Sequence, residues 1–314
     1  MNAIVTAIGS MSAECVINSL LDMGIGVVAT DIYPKEYHPI AHQCLDFQQV
    51  PRVYPDELCY CKAIFDIAIK NKCAVIIPLT DPEVDVLSSN RKMFEDVGIK
   101  VCLPDDEVIK RARCKSSWSK ALSAAKYVRT IPTYDTYQEL CESYSGEFVA
   151  KRVRGRSSEG IILSNTMVYH DCIDSNQEYI FQPRIKGDIL TVDFVRHPTS
   201  HKFIFVPRIE LMRTKNGAGT VVRIAHQDFC NKTMLEMVEV LGLTGVMNCE
   251  FICSDEGFYL MDINPRFSAG VSFSKMAGYD FVKSNIDCYT SDCLDNLVNQ
   301  NEGHIFVKRF CDFK

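Results

Sequence analysis

Val246–Phe267 reads VMNCEFICSDEGFYLMDINPRF, and the fold and the chemistry are both legible from it. Two β-rich runs flank the turn-like Ser254-Asp255-Glu256-Gly257, which predicts a hairpin. Side chains alternate between the faces of a strand, so Asn248 and Glu250 share one face, as do Asp262 and Asn264. Cys249, Phe251, Tyr259, Met261 and Ile263 then form the opposite, apolar face, suited to a core. A hairpin folded about Glu256 sets Glu250 directly opposite Asp262. Opposed carboxylates on one sheet face repel. A divalent cation between them removes that penalty, and Asn264 supplies a further oxygen. Magnesium suits such a site because it takes one or two carboxylates and completes its octahedron with water and phosphate. Arg266 is then close enough to reach a phosphate oxygen. Taken alone, the same pattern also fits a solvated hairpin carrying surface acids.

The 314 residues allow for two or three domains and a large core. A hydrophobic content of 47% with 24% charged residues is ordinary for a soluble globular protein. No apolar run reaches bilayer-spanning length, and Met1-Asn2-Ala3 leads straight into a strand pattern rather than a signal peptide. The fifteen cysteines are scattered through apolar runs, with no CxxC pair, which predicts small buried hydrophobes in a reduced, cytoplasmic setting. A net charge of −6 argues against nucleic acid or an anionic membrane as a partner. Any polyanionic ligand must therefore meet a local basic cluster.

Upstream, strand and helix patterns alternate. Apolar runs at Ile4–Ile8, Gly26–Thr30, Ala74–Pro78 and Ile99–Leu103 are separated by helical stretches at Ser12–Met23, Pro55–Lys70 and Asp81–Asp96. This predicts a parallel sheet with helices on both faces. Gly9 is not part of a GxGxxG motif, so a dinucleotide site is poorly supported. Asp31, ending a strand, suits a ligand contact or a structural role equally. After Pro104 the pattern changes to helices at Asp105–Arg111 and Ser116–Lys126. β-rich segments follow near Phe148–Arg152, Gly160–Leu163, Tyr179–Ile185, Ile189–Arg196, Lys202–Val206 and Val221–Ile224. A helix at Asp228–Leu241 precedes the acidic hairpin. This second part is α+β.

The basic cluster lies in Phe148–Ile161, FVAKRVRGRSSEGI, where four cations fall within Lys151–Arg156. A donor-rich loop between two strands can fold over phosphates. It is not a GxxxxGK[ST] loop, and in isolation it also reads as a solvated basic hairpin. Tyr179–Asp193, YIFQPRIKGDILTVD, offers Gln182 to a base edge and Asp188 to ribose hydroxyls, or simply polar turn residues.

These pieces, in this order, resemble the ATP-grasp superfamily, and in particular stand-alone relatives of the carbamoyl phosphate synthetase large subunit. The resemblance spans nearly the whole chain, and Val75–Leu87, VIIPLTDPEVDVL, looks like a segment of the family's first domain. It implies a Rossmann-like pre-ATP-grasp α/β sheet (residues 1–104) followed by a two-lobed ATP-grasp domain (105–314). The lid lobe would span about 112–183 and the metal-binding lobe about 184–314. By the same resemblance Lys115 and Lys151 contact nucleotide phosphates. Arg156, Ser157, Ser158 and Gly160 belong to the lid; Gln182, Pro183, Arg184 and Ile185 form the adenine hinge; Asp188 takes the ribose. Glu250, Asp262 and Asn264 match the metal ligands, and Arg266 the arginine of the family's Asn-Pro-Arg triplet. Gln182 and Asp188 stand where the family often has Glu, so nucleotide preference is left open.

The activity implied is carboxylate–amine ligation through an acyl phosphate, with ATP and Mg2+ (or Mn2+) as cofactors and small-molecule carboxylate and amine substrates. Arg208 and Arg213, flanking a loop with Gly217-Ala218-Gly219, are candidate catalytic clamps on the substrate carboxylate or the acyl phosphate. No general base is named. A homodimer is compatible with this reading. A noncatalytic nucleotide sensor, or an enzyme stopping at an acyl or carbamoyl phosphate, remains an alternative, and the substrates themselves are not readable.

Overall fold

Apolar segments too short to fold alone pair first with each other. In the computed structural model, which describes residues 1–152, 162–167, 179–296, 301–310 and 312, the N-terminal runs form one five-stranded parallel sheet. Its elements are β1 (Asn2–Val5), α1 (Ala13–Asp22), β2 (Gly26–Asp31), β3 (Asp46–Gln49), α2 (Glu57–Lys70), β4 (Cys73–Ile77), α3 (Asp81–Ser89), α4 (Arg91–Glu95) and β5 (Lys100–Val101). The strand order is β3-β2-β1-β4-β5. Both faces are covered, as a parallel sheet requires. Ile4, Val28 and Ile76 pack on Tyr60, Ile64 and Ala68 of α2, while Ala3, Val27 and Val75 face α1.

Two departures from the sequence reading have local causes. β3 (DFQQ) is a half-exposed edge strand with no apolar alternation to read. The expected Asp81–Asp96 helix breaks at Asn90, whose side chain donates to the Val86 carbonyl at 2.8 Å and so competes with the next turn. At the start of α3 a Thr80/Glu83 capping box sits beside Pro82 in the first turn.

The remainder comprises α5 (Asp106–Arg113), α6 (Lys115–Ala121), β6 (Val128–Thr130), α7 (Tyr137–Ser143), β7 (Glu147–Arg152), β8 (Ile162–Asn165), β9 (Tyr179–Pro183), β10 (Asp188–Arg196), β11 (Phe203–Arg213), β12 (Gly219–Ile224), α8 (Asn231–Leu241), β13 (Gly245–Ser254), β14 (Gly257–Asn264), α9 (Val271–Met276), α10 (Phe281–Thr290) and β15 (Ile305–Val307). A small sheet, β8-β7-β9, stands beside a seven-stranded one, β15-β12-β11-β10-β13-β14-β6. β11 runs well past the expected Lys202–Val206, because its second half alternates charged with apolar residues and looks unlike a strand. One core cluster joins the two parts of the chain: Val5 and Ile77 of the first sheet share it with Val195, Ile204 and Val206 of the second and with Phe281, Val282 and Ile286 of α10. Each fully buried aliphatic side chain there contributes about 1.5–3 kcal/mol. No helix among the described residues is long and apolar enough to cross a membrane.

Gly187, just before β10, marks a close approach of backbones. A Cβ there would stand 2.1 Å from the Cys253 carbonyl oxygen. Gly187→Ala is therefore expected to force β10 away from β13 and to lower stability by roughly 1–3 kcal/mol, the usual scale of overpacking. Thermal melts check this, and an unchanged melting temperature would show that the strands absorb the methyl group.

Candidate active site

The hairpin of β13 and β14 forms with Glu250 opposite Asp262 and Asn248 opposite Asn264, the expected register. Nearer the turn the pairing slips by one residue, so Phe251 faces Leu260 and Met261 is an extra residue on its strand. This bulge corrects the expected core face in part: Leu260 joins Cys249, Phe251 and Ile263 in one core cluster, Tyr259 is buried as expected, and Met261 is not. The Met261 carbonyl accepts a side-chain hydrogen bond from outside the hairpin. Lys115, the first residue of α6, donates to that carbonyl at 3.1 Å and stands 3.5 Å from Oδ1 of Asp262.

Asn264 donates its amide to Oδ1 of Asn248 at 3.2 Å, and Asn248 in turn donates to the Arg266 carbonyl at 2.8 Å. Glu250 is held by Arg213, whose Nη2 lies 2.9 and 2.8 Å from its two oxygens. Burial pushes the Glu250 carboxyl above its usual range; Arg213 opposes that rise, while Glu210 and Asp262 add to it. Glu210 accepts from Thr191 Oγ1 at 2.6 Å, yet its Oε2 is buried without a hydrogen-bond partner among the described residues. Lys151, on β7, completes the group. Burial and the neighbouring charge of Lys115 bring its ammonium down to about 8, against the pull of Asp262.

Of these residues Glu210, Asn248, Glu250 and Asn264 line an open cleft of about 430 Å³, together with Thr191, Gly219 and Arg266. The structure thus brings Lys115, Lys151, Glu250, Asp262, Asn264 and Arg213 together. Arg156, Ser157, Ser158 and Gly160 lie outside the described residues.

Arg208 and Gln182 are both engaged with other side chains in this structure. Arg208 does not reach out as a clamp: its side chain is 1% exposed, Nη1 donates to Asp193 at 2.6 Å, and Nη2 donates to Ser268 at 2.8 Å. It braces the cleft from below, with Gly270 so close that a Cβ would lie 2.9 Å from Nη2. Gln182 does not offer its amide to a base, because it is buried and donates to Thr133 Oγ1 at 2.8 Å. The rest of the hinge is arranged differently. Pro183 ends β9, Arg184 pairs with Glu147 at 3.2 Å, and Asp188 is exposed at the start of β10. No acceptor among the described residues takes the backbone N–H of Ile185.

Arg266 is engaged across the chain. Nε and Nη2 donate to the two oxygens of Asp81 at 2.9 and 3.0 Å, and Nη1 donates to the Phe267 carbonyl at 3.1 Å. Arg113 adds a second cation at 2.9 Å from Asp81. Burial raises the Asp81 carboxyl, but the two arginines outweigh it and hold it at about 2. Sequence reasoning passed over Asp81 as a site residue. Its only signal was its place after β4, at the carboxyl edge of the parallel sheet where ligands of open α/β folds gather.

Residues 114–270 match the ATP-grasp domain family, and residues 5–102 match the PylC-like N-terminal domain family. No protein of curated function matches the chain. Among solved structures, the chain is similar to biotin carboxylase from Campylobacter jejuni, with a TM-score of 0.77 and 15% identity over 94% of this chain and 72% of that one. It also resembles the biotin carboxylase domain of 2-oxoglutarate carboxylase from Hydrogenobacter thermophilus, in complex with MgADP, ADP and bicarbonate (TM-score 0.72, 17% identity, 95% of this chain and 71% of that one). N5-carboxyaminoimidazole synthetase from Staphylococcus aureus, complexed with ADP, follows at TM-score 0.70 and 16% identity, over 94% and 78% of the two chains. At these identities the likeness is one of fold.

Proposed function

Since this chain belongs to the ATP-grasp family, matched over half its length, we propose that it is an ATP-dependent carboxylate–amine ligase. The observation that carries the reading is the convergence of Glu250, Asp262 and Asn264 on the hairpin, with Lys115 and Lys151 beside Asp262. Residues 105–314 would form the catalytic unit, with the lid lobe at about 112–183 closing over the larger lobe, and residues 1–104 would support it. The solved relatives crystallised with ADP or ATP analogue make the same nucleotide the natural ligand here.

The donor set fits magnesium. It offers hard oxygens only: two opposed carboxylates, the Asn264 amide, and a buried Glu210 oxygen without a hydrogen bond. Among the described residues no group of three His, Cys, Asp or Glu forms a ready-made cage, which suits an ion that keeps water and phosphate as ligands. Bound there, the ion would neutralise phosphate oxygens and so favour attack at the γ-phosphorus.

The substrate carboxylate oxygen attacks the γ-phosphorus and ADP leaves; the amine nitrogen then attacks the acyl carbon, phosphate leaves, and the nitrogen loses a proton. Such transfer is governed by positioning and charge. Lys115 and Lys151 would hold the phosphates, the backbone at Ile185 would receive the adenine, and Asp188 the ribose. Arg266 would steady the transferring phosphoryl group with the donors Asp81 leaves free, and Arg213 would face the substrate. Screening carboxylate and amine pairs for ADP release, with mass detection of product, tests the reading. ADP release that requires both partners supports it. A protein that binds ATP and releases no ADP across the panel is a nucleotide-binding protein instead.

Lys151 gives an independent check. With its ammonium near 8, the free protein is partly deprotonated there at pH 8.5. Phosphate favours the charged form, so ATP binding at pH 8.5 should take up a proton, and binding at pH 6.5 should not. Calorimetry in buffers of different ionisation enthalpy reads this directly. Uptake that persists in Lys151→Met would assign the proton elsewhere.

A further inference from the structure

Arg213 ends β11 with its backbone fixed, paired with Gly219 across the sheet and followed by a turn in which the Thr214 N–H donates to the Ala218 carbonyl at 2.8 Å. Only its side chain is free to choose partners. That side chain bridges two carboxylates. Nη2 sits between both oxygens of Glu250, and Nε stands 3.0 Å from Oε2 of Glu210. The second approach is poorly aligned: Nε of Arg213 and Oε2 of Glu210 are both buried without a hydrogen-bond partner. The guanidinium therefore answers the charge of Glu210 without satisfying it.

Glu210 and Glu250 line the cleft, Asp262 stands opposite Glu250 in the hairpin, and Lys115 is 3.5 Å from Asp262. Glu210 also has Arg208, whose Nε is 3.8 Å from its Oε1, whereas Arg213 is the cation hydrogen-bonded to Glu250. A divalent ion on the opposed pair needs the Glu250 oxygens that Arg213 already holds, and two cations on one partly buried carboxylate repel each other. Resting on the metal assignment proposed above, we infer that Arg213 is the resident counter-cation of this site, displaced from Glu250 when a divalent ion binds. In the metal-free protein it offsets part of the charge that Glu250 turns toward Asp262. Once released it would be free to answer an anionic substrate group in the cleft that Asn216 and Gly217 line nearby in the chain. Metal loading then precedes recognition of the substrate carboxylate.

Mn2+ alone is the probe, with free ion counted by electron paramagnetic resonance in the absence of nucleotide. Arg213→Met keeps much of the aliphatic stem and removes the charge. It should bind Mn2+ at least tenfold more tightly than wild type, and Arg213→Lys, which loses the fork but keeps the charge, should fall between. Adding Glu250→Gln to Arg213→Met should erase the gain. Equal or weaker binding by a folded Arg213→Met overturns the inference, because a residue that merely props the ligand would lower affinity when removed. If Arg213→Met fails to fold, Arg213→Lys decides: binding no tighter than wild type overturns the inference. A gain that survives Glu250→Gln instead overturns the metal assignment beneath it.

Discussion

Asp262→Asn is expected to lower turnover on the order of a thousandfold while leaving the metal-free protein as stable as wild type. The first half follows from charge. Asp262 faces Glu250 across the hairpin, and the substitution removes one of the opposed carboxylates that would hold the ion polarising the phosphate. The second half follows from what else Asp262 touches. Its contact with Lys115, at 3.5 Å between side chains each nearly half exposed, is a surface pair of little worth. Against that small loss stands relief of the repulsion from Glu250. ADP release at saturating magnesium and thermal melts without metal measure the two halves on one preparation. Near-normal turnover would sink the metal assignment, and a large drop in melting temperature would mean that Asp262 holds the fold rather than the ion.

What the sequence made legible, and what it hid, divides by the range of the interaction involved. The facing of Glu250 and Asp262 was readable because a tight turn fixes register over a dozen or so residues. The parallel sheet was readable because its inner strands β2, β1 and β4 are apolar on both faces. The bulge at Met261 was not, since no residue type in GFYLMDIN signals it; only the burial of Leu260 reveals which face won. Arg208 looked like a functional arginine because nothing nearby in sequence shows Asp193 folding across to neutralise it. Gln182 was hidden likewise by Thr133, far upstream. Arg266 is the sharpest case. Its partner Asp81 lies 185 residues away in the other half of the chain, where local pattern carries no information.

That partnership sets the remaining expectation. Asp81→Asn should cost about 2 kcal/mol of stability at pH 7, the equivalent of a carboxyl held near 2 against an ordinary 3.8. Because the folded-state value is depressed, this contribution is complete above the unfolded value and is lost as pH falls through about 2. Wild type and variant should therefore differ at neutral pH and converge in acid. Function should suffer separately. Asp81 fixes two of the Arg266 donors at 2.9 and 3.0 Å, so its loss lets the guanidinium turn away from the cleft it lines. Arg266→Lys attacks the same geometry from the other side, since an ammonium cannot engage both Asp81 oxygens through a planar fork. An interaction felt mainly in the transition state lowers kcat rather than nucleotide affinity, so each variant should bind ATP with modest loss yet lose tenfold or more in turnover. The double variant should be barely worse than either single one, because residues that act as a unit are not additive. Calorimetric ATP titration beside ADP release, on all four proteins, gives the cycle. Additive losses would mean that Asp81 stabilises the fold without positioning Arg266, and normal turnover in Arg266→Lys would remove that arginine from the chemistry.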